Sequence, residues 1–334
     1  MNHKMNRRDF MKWSGALSLA LAAPLPLVSL ARAGTDAALS KETRLKMGTT
    51  VTINLLASSK DQASEALDRA WAEMDRLIAV FDRHRPGTAI SELNRTGSLS
   101  DPGVEMIEVL NRARDMNRIS DGAFDPTVLP LLDLIETSFL KNGRPPETAD
   151  LHQALSRVGF DQVRFGRSGV SLGSGRRISL DGVAKGYIVD RCGAALAEAG
   201  IRDALINAGG DVLALGRRPG GKPWRVAIQD PFEQGRFVRV LNLTDQAAAT
   251  SGSYEIHFDP ERQYHHLISP KTGMSAGSMV SVTTVARETA RADALSTAAF
   301  VRPETLNQAL DAEVLLINRL GRQKMTSGFK RMLG

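Results

Sequence analysis

Apolar and polar positions alternate along "MGTTVTINLLA", starting at Met47, with β-branched residues at the apolar places, and this predicts a strand. Directly after it, "DQASEALDRAWAEMDRLIAVFD" sets Ala66, Ala70, Met74, Leu77, Ile78 and Phe81 at helical spacing. The polar loop "RHRPGTAISELNRTG" leads to a second helix, "PGVEMIEVLNRARDMNRIS", which stops at Asp121-Gly122. "GAFDPTVLPLLDLI" joins a turn, two prolines and a dense apolar run, and "VRFGRSGVSLGSGRRISL" reads as a hairpin with glycine turns. "ISLDGVAKGYIVDR" looks like the end of a strand, a glycine turn holding a lysine, and the start of a helix that runs to Gly200. "DALINAGGDVLALG" and "WRVAIQD" are strand-like, and Gly209-Gly210 within the first implies a bulge or a close backbone approach. "AAATSGSYE" and "YHHLISPKTG" read as polar turns on either side of a short "IHFDP" segment. "MVSVTTVA" is a strand, "TARADALSTAAFV" a helix ended by Arg302-Pro303, and "AEVLLIN" a further strand. Strands and helices mix without a regular βαβ rhythm, so the pattern predicts an α+β fold rather than a doubly wound one.

The first 33 residues break this pattern. A basic start, an apolar stretch from Trp13 to Leu30 and the small-residue site Ala31-Arg32-Ala33 make the three-part layout of an export signal. Arg7-Arg8, followed by Asp9, Phe10 and Lys12, resembles the twin-arginine type, which serves proteins exported already folded. Pro24 and Pro26 interrupt the apolar stretch, which argues for cleavage after Ala33 over a retained membrane anchor, and no cysteine near the site offers a lipid attachment. The expected division is therefore a signal over 1–33 and one large domain over 34–334, built as two closely joined lobes, destined for the periplasm.

Removing the signal changes the charge. Residues 1–33 carry five cations against one acid, +4 of the chain's +6, which leaves +2 for the rest. A balance that close to neutral offers no electrostatic case for nucleic acid. No second apolar run approaches membrane-spanning length, so the processed chain is not expected to be an integral membrane protein. The single cysteine, Cys192, forbids an internal disulfide even in an oxidising compartment, and its helical setting points to a buried, inert thiol.

Five places could carry chemistry. Asp293 and Thr297 are four residues apart and share one face of their helix. Their hard oxygens suit Mg²⁺, although the pair equally fits a helix with one exposed acid and one small polar residue. In the glycine turn of "ISLDGVAKGYIVDR", Asp181-Gly182 presents carbonyls to a cation, while Lys185 and the free N–H groups of the helix start attract anions. An ordinary strand-to-helix turn with a surface lysine has the same residues. His266 stands in a turn-rich segment where a general base would fit, with His265 adjacent to it. "NAGGDV" and "ATSGSYE" add glycines and hydroxyls without a defined role.

Taken in order, "MGTTVTI", "GAFDPTV", "SLDGVAKGYIVD", "NAGGDV", "PWRVAIQDP", "TSGSYE", "HHLISPKTG" and "ADALSTAAFV" resemble the ApbE family of FAD:protein FMN transferases from about Met47 to the C-terminus. The resemblance implies a mixed-sheet α+β fold with flanking helices. It implies that FAD is a substrate, that Mg²⁺ assists, and that the acceptor is a flavoprotein with a Ser/Thr flavinylation motif. Asp293, Thr297 and the main-chain carbonyl of Gly182 fall on the family's metal ligands. Lys185 takes the turn position beside the flavin nucleotide. Met47, Ala123, Phe124, Asp125 and Ile268 match FAD-contacting positions, and Asp181 is a candidate for the same site. His266 falls near the reacting phosphate as base or hydroxyl-orienting group, a role Asp293 could share. The chain departs from the family pattern at His84, Ser179 and Ser296, where relatives often have an aromatic residue, an aspartate and a further acid. Two other activities fit the same residues: an FAD pyrophosphatase releasing FMN and AMP, and an exported flavin-binding accessory protein without catalysis. The second would not need Asp293 and Thr297.

Overall fold

The computed structural model describes residues 38–307 and 311–334; the export-signal features of residues 1–33 lie outside them. Eight strands make the main sheet: β1 (Ala38–Lys46), β2 (Thr49–Ala57), β6 (Ala204–Ala208), β7 (Asp211–Leu215), β10 (Gln246–Gly252), β11 (Met279–Ala286), β12 (Glu313–Asn318) and β13 (Gln323–Met325). They lie in that order, each antiparallel to its neighbour. The short strands β3 (Ser98–Leu99), β4 (Arg164–Gly166) and β5 (Gly169–Ser171) form a second sheet, and β8 (Trp224–Gln229) pairs with β9 (Phe237–Leu243) in a third. The helices are α1 (Lys60–Phe81), α2 (Ala89–Thr96), α3 (Gly103–Ile119), α4 (Leu129–Asn142), α5 (Thr148–Leu155), α6 (Asp181–Glu198), α7 (Thr289–Val301) and α8 (Ser327–Arg331). This is a mixed α+β architecture with antiparallel sheets.

The predicted helices over 61–82 and 289–301 form with nearly those bounds. Ser59 caps α1 by accepting the Gln62 N–H at 3.1 Å, and the helix buries Ala66, Ala70, Trp71, Met74, Leu77 and Phe81. Ile78 is only half-buried at the edge of that stripe. The main core joins these side chains to Val51, Ile53 and Leu55 of β2, Met106 and Leu110 of α3, and Val183, Tyr187 and Ile188 of α6. Cys192 sits inside it, fully buried, and burial pushes its thiol up to about 12, as an inert core residue requires.

Three segments differ from the sequence expectations. The pattern leaves β1 unmarked because "SKETRLK" is polar; it is an edge strand whose outer face meets solvent. Of the two readings of Gly209-Gly210, the close approach holds and the bulge does not: it is a two-residue hairpin turn joining β6 to β7, with φ of 60° and 99°, pressed against Thr49. Met47-Gly48 turns β1 into β2 in the same way, with φ of 52° and 71°. The supposed polar turn "AAATSG" is β10, in the middle of the main sheet. Its small residues look like loop composition, but they let α7 lie close: Ala249 packs with Ala286 of β11 and Ala292 of α7.

The antiparallel register brings one end of each central strand together. β2 starts there at Thr49, β6 ends at Ala208, β7 starts at Asp211, β10 ends at Gly252 and β11 starts at Met279. Among the described residues no helix is long and apolar enough to cross a membrane.

Candidate active site

At this sheet end α6 and α7 cross antiparallel, and glycines set how closely. A Cβ on Gly186 would stand 2.6 Å from the carbonyl carbon and oxygen of Thr289, and one on Gly182 would stand 3.1 Å from Thr297 Oγ1 and 3.2 Å from the Phe124 ring. No larger residue fits at Gly186 without moving a backbone. The start of α7 is also held in place from α6. Asp190 accepts the N–H groups of Thr289 (2.7 Å) and Ala290 (2.9 Å), so the cap that Glu288 does not supply comes from the neighbouring helix. Burial raises the Asp190 carboxyl to about 6, against those two N–H bonds.

The seam brings together the residues that sequence spacing could only pair. Asp293 is 6% exposed, and its Oδ2 accepts the Gly186 N–H at 3.2 Å. The regular helical acceptor of that N–H is the Gly182 carbonyl, so its donation to Asp293 weakens the helix's claim on the very oxygen expected to face a cation. Thr297 Oγ1 lies 3.3 Å from Ser251 Oγ at the end of β10. Ser296 bonds Ser251 at 2.7 Å and donates to the Asp293 carbonyl at 2.9 Å, so the residue standing in place of a further acid is consumed by structure.

Lys185 reaches Asp211, the first residue of β7, at 3.4 Å. Asp211 is 1% exposed, and the contact is too poorly directed to count as a hydrogen bond, which leaves Oδ2 without one. Its carboxyl faces that of Asp293. Burial and the Asp211 charge drive the Asp293 carboxyl well above the ordinary carboxylate range, with Lys185 pulling against them. Burial raises Asp211 likewise, with Lys185 opposing. Burial works against the Lys185 ammonium, but Asp211, Asp293 and the rim residue Glu255 outweigh it and hold the lysine charged. One ammonium thus faces three carboxylates.

His266 lies within the field of Lys185, Asp181 and Arg83 and is half-buried. Burial lowers its imidazole to about 4, so it is neutral at neutral pH. Its Nδ1 stands 3.2 Å from the Ile256 carbonyl, which can only accept; Nδ1 therefore carries the proton and Nε2 keeps the lone pair. His265 has a different environment. It is fully buried, lies 3.0 Å from the Ala276 carbonyl through Nε2, and meets Phe300 edge to face at 5.6 Å.

The remaining candidates stand around this centre rather than in it. Asp181 is on the rim with its side chain 52% exposed, paired at 2.7 Å with Arg83, whose guanidinium holds the carboxyl below its usual range despite the opposing effect of burial. Ser179 Oγ accepts the Asp181 N–H at 3.3 Å. Phe124 is buried against the Gly182 turn, and Ala123 is buried beside it. The Asp125 carboxylate is committed to three donors, Thr127 N (2.7 Å), Thr127 Oγ1 (2.5 Å) and Phe160 N (3.2 Å). The Ile268 side chain packs into an apolar cluster with Leu131, Ile135 and Ala154. Met47 is half-buried in the β1–β2 turn, next to the β6–β7 turn where Thr49 lies against Gly209. Sequence reasoning missed Asp211 and Arg83 as site residues. An acid directly after a Gly-Gly turn was a legible signal for the first; nothing local marks the second.

Among the described residues no group of three or more His, Cys, Asp or Glu side chains is placed to hold a metal by itself. The site instead offers two carboxylates, a hydroxyl and a backbone carbonyl, all hard oxygens, with one buried carboxylate oxygen unsatisfied. Such a donor set suits a cation that keeps waters and takes the rest of its shell from a substrate phosphate.

The ApbE family profile matches residues 47–315, and a twin-arginine translocation signal profile matches residues 4–24. A FAD:protein FMN transferase of Treponema pallidum is 32% identical over 73% of this chain and 74% of its own length. Another, from Rhodobacter capsulatus, is 32% identical over 86% of this chain, which spans 56% of that longer protein. The crystal structure of the ApbE protein of Thermotoga maritima superposes with a TM-score of 0.80 at 29% identity, covering 88% of this chain and 99% of that one. With the glycine turn, the Asp293–Thr297 face and most of the main sheet falling within the matched span, the chain belongs to the ApbE family.

Proposed function

We propose that this protein is an exported, Mg²⁺-dependent FAD:protein FMN transferase. It attaches FMN from FAD to a Ser or Thr hydroxyl of an acceptor flavoprotein, a periplasmic or membrane-associated electron carrier, and releases AMP. The observation that carries the reading is the meeting of Asp293 and Thr297 with the Gly182 turn, with Lys185 facing an excess of carboxylates. Binding a divalent cation there would relieve that excess, and the charged lysine and the α6 N-terminus suit the anionic diphosphate.

Asp293, Thr297 and the Gly182 carbonyl would hold Mg²⁺, and the bound ion would offset negative charge on the diphosphate and the departing AMP. The acceptor hydroxyl attacks the phosphorus on the flavin side. A new P–O bond to Ser or Thr forms, and the P–O bond to the bridging oxygen breaks. His266, neutral and with Nε2 free, takes the hydroxyl proton. Lys185 pairs with the diphosphate as the bridge oxygen gains charge, and Phe124 and Met47 bound the flavin side. Positioning and charge do most of the work in a transfer of this type.

The test is to incubate the purified chain with FAD, Mg²⁺ and a domain bearing a flavinylation motif, and weigh the acceptor by mass spectrometry. A gain of one FMN, lost with EDTA, is expected. Free FMN and AMP without a heavier acceptor would replace this reading with a pyrophosphatase. No turnover of FAD would replace it with a flavin carrier.

A further inference from the structure

Asp211 is a buried acid at this sheet end that the proposed reaction does not yet use. It opens β7 directly after the Gly209-Gly210 turn. A Cβ on Gly209 would stand 2.3 Å from Thr49 Oγ1, so the turn is pressed against β2 and leaves Asp211 little freedom. The groups facing its carboxyl come from separate elements: Lys185 from α6, Asp293 from α7, and Glu255 from the segment after β10. It is 1% exposed, yet Oδ2 has no hydrogen bond.

An acid that serves the fold is treated differently in the same structure. Asp190 gives both oxygens to backbone N–H groups of α7. Asp211 has one weakly directed cation and a facing carboxyl of the same sign. Such an arrangement costs the folded chain free energy unless something else uses it.

We infer that Asp211 is a positioning residue of the proposed transferase, holding Lys185 in place beside Asp293 and strengthening the negative field that draws the cation to Asp293 and Thr297. The inference rests on the reading given under Proposed function. Asp211 acts through its two neighbours. Without its charge, Lys185 loses its nearest counter-ion and swings, and its ammonium opposes the incoming cation with less compensation.

The test uses the full chain with Asp211→Asn, which keeps the shape and removes the charge, and Asp211→Glu, which keeps the charge. Three quantities are measured: the thermal midpoint without metal, Mg²⁺ affinity by titration calorimetry, and kcat and KM for FAD at saturating Mg²⁺. Asp211→Asn is expected to melt at or above the wild-type temperature while binding Mg²⁺ about ten- to a hundredfold more weakly, the range typical of outer partners of metal ligands. Its kcat falls by a similar factor, the FAD KM shifts less than about threefold, and Asp211→Glu recovers part of the loss. Wild-type Mg²⁺ affinity and kcat in Asp211→Asn overturn the inference. So does a lower melting point with unchanged Mg²⁺ affinity, which would make the residue a fold element. If the wild-type chain neither binds Mg²⁺ nor transfers FMN, the proposed function itself falls. If it does both and Asp211→Asn matches it, only the inference falls.

Discussion

The helix α6 carries a charge cluster at each of two places, and they are built on opposite rules. Near its middle, Arg191 joins a surface network in which Glu73 meets Arg191 at 3.1 Å and Arg76 at 2.8 Å, and Arg76 also meets Glu105 at 2.7 Å. Two guanidiniums balance two carboxylates. A hydrogen bond from Arg76 holds Glu73 below its ordinary range, and against burial a backbone hydrogen bond, with the arginines behind it, keeps Glu105 low. One and a half turns earlier, Lys185 stands alone among Asp211, Asp293 and Glu255, and burial pushes all three acids up. The first cluster is balanced in charge, although Arg191 Nε is left without a hydrogen bond. The unbalanced one has a shortage of positive charge in a place shielded from water, the condition under which a cation is bound most strongly. The contrast points to the proposed site without reference to any relative: balanced ion pairs suit a structural role, and unmatched charges mark a candidate functional one.

The sharpest way to break the comparison is Asp293→Ala. It should reduce FMN transfer by about a hundredfold or more, the scale seen when one preorganised electrostatic group is lost, and abolish the response to Mg²⁺. The far-ultraviolet circular dichroism should be unchanged. Full activity in this variant, read by acceptor mass, would remove the metal site from the scheme.

A second test separates burial from charge imbalance. His265 is as buried as the site acids but has no ionic partner, and burial lowers its imidazole to about 4 from an ordinary 6.5. A group whose folded value is depressed contributes its stability fully above the unfolded value and loses it on acidification. Unfolding free energy should therefore decline between pH 6.5 and 4 by about 3 kcal/mol at the most from this residue. Denaturant titrations across that range should show the decline, and His265→Gln should flatten it.

Next in size is the helix seam. Gly186→Ala places a methyl 2.6 Å from the Thr289 backbone, an overlap expected to cost about 1–3 kcal/mol. The melting point should fall, and FMN transfer should fall with it, since the shift carries Asp293 away from Gly182. The smallest effect belongs to the balanced cluster. Glu73→Gln should change stability by less than about 1 kcal/mol and leave transfer untouched, because both of its arginine partners are open to water and such pairs contribute little. A large loss of activity there would end the distinction between the two clusters.

Much of this was legible before the fold. Asp293 and Thr297 sit on one helix face because they are four residues apart, and α7 formed over the expected residues. The helix after "ISL" formed as its composition implied, but the expected strand end does not form, and Gly182, Lys185 and Gly186 lie within α6 itself, which starts at Asp181. Other readings failed for identifiable reasons. β10 looked like a polar turn because serine, threonine, alanine and glycine are both loop residues and the only residues small enough for a helix packed tightly on a sheet. The edge strand β1 has no apolar face to betray it. Gly209-Gly210 reads as a bulge or a close backbone approach; the close approach to Thr49 holds, and only the pairing of Ala208 with Asp211 shows that the pair is a hairpin turn.

The sequence by itself determined the local elements, the export-type N-terminus and the kinds of oxygen and nitrogen available to a site, because periodicity and residue chemistry act within a few positions. Tertiary structure alone decided which of those groups meet. Asp125 and Asp211 are both acids beside turns, yet one is consumed by three donors and the other is left facing a carboxylate. His265 and His266 are neighbours in the chain, yet one is fully buried against Phe300 and the other is half-buried with Nδ1 on the Ile256 carbonyl. Those outcomes depend on burial and on partners about a hundred residues away, such as Gly186 for Asp293, and no local pattern encodes them.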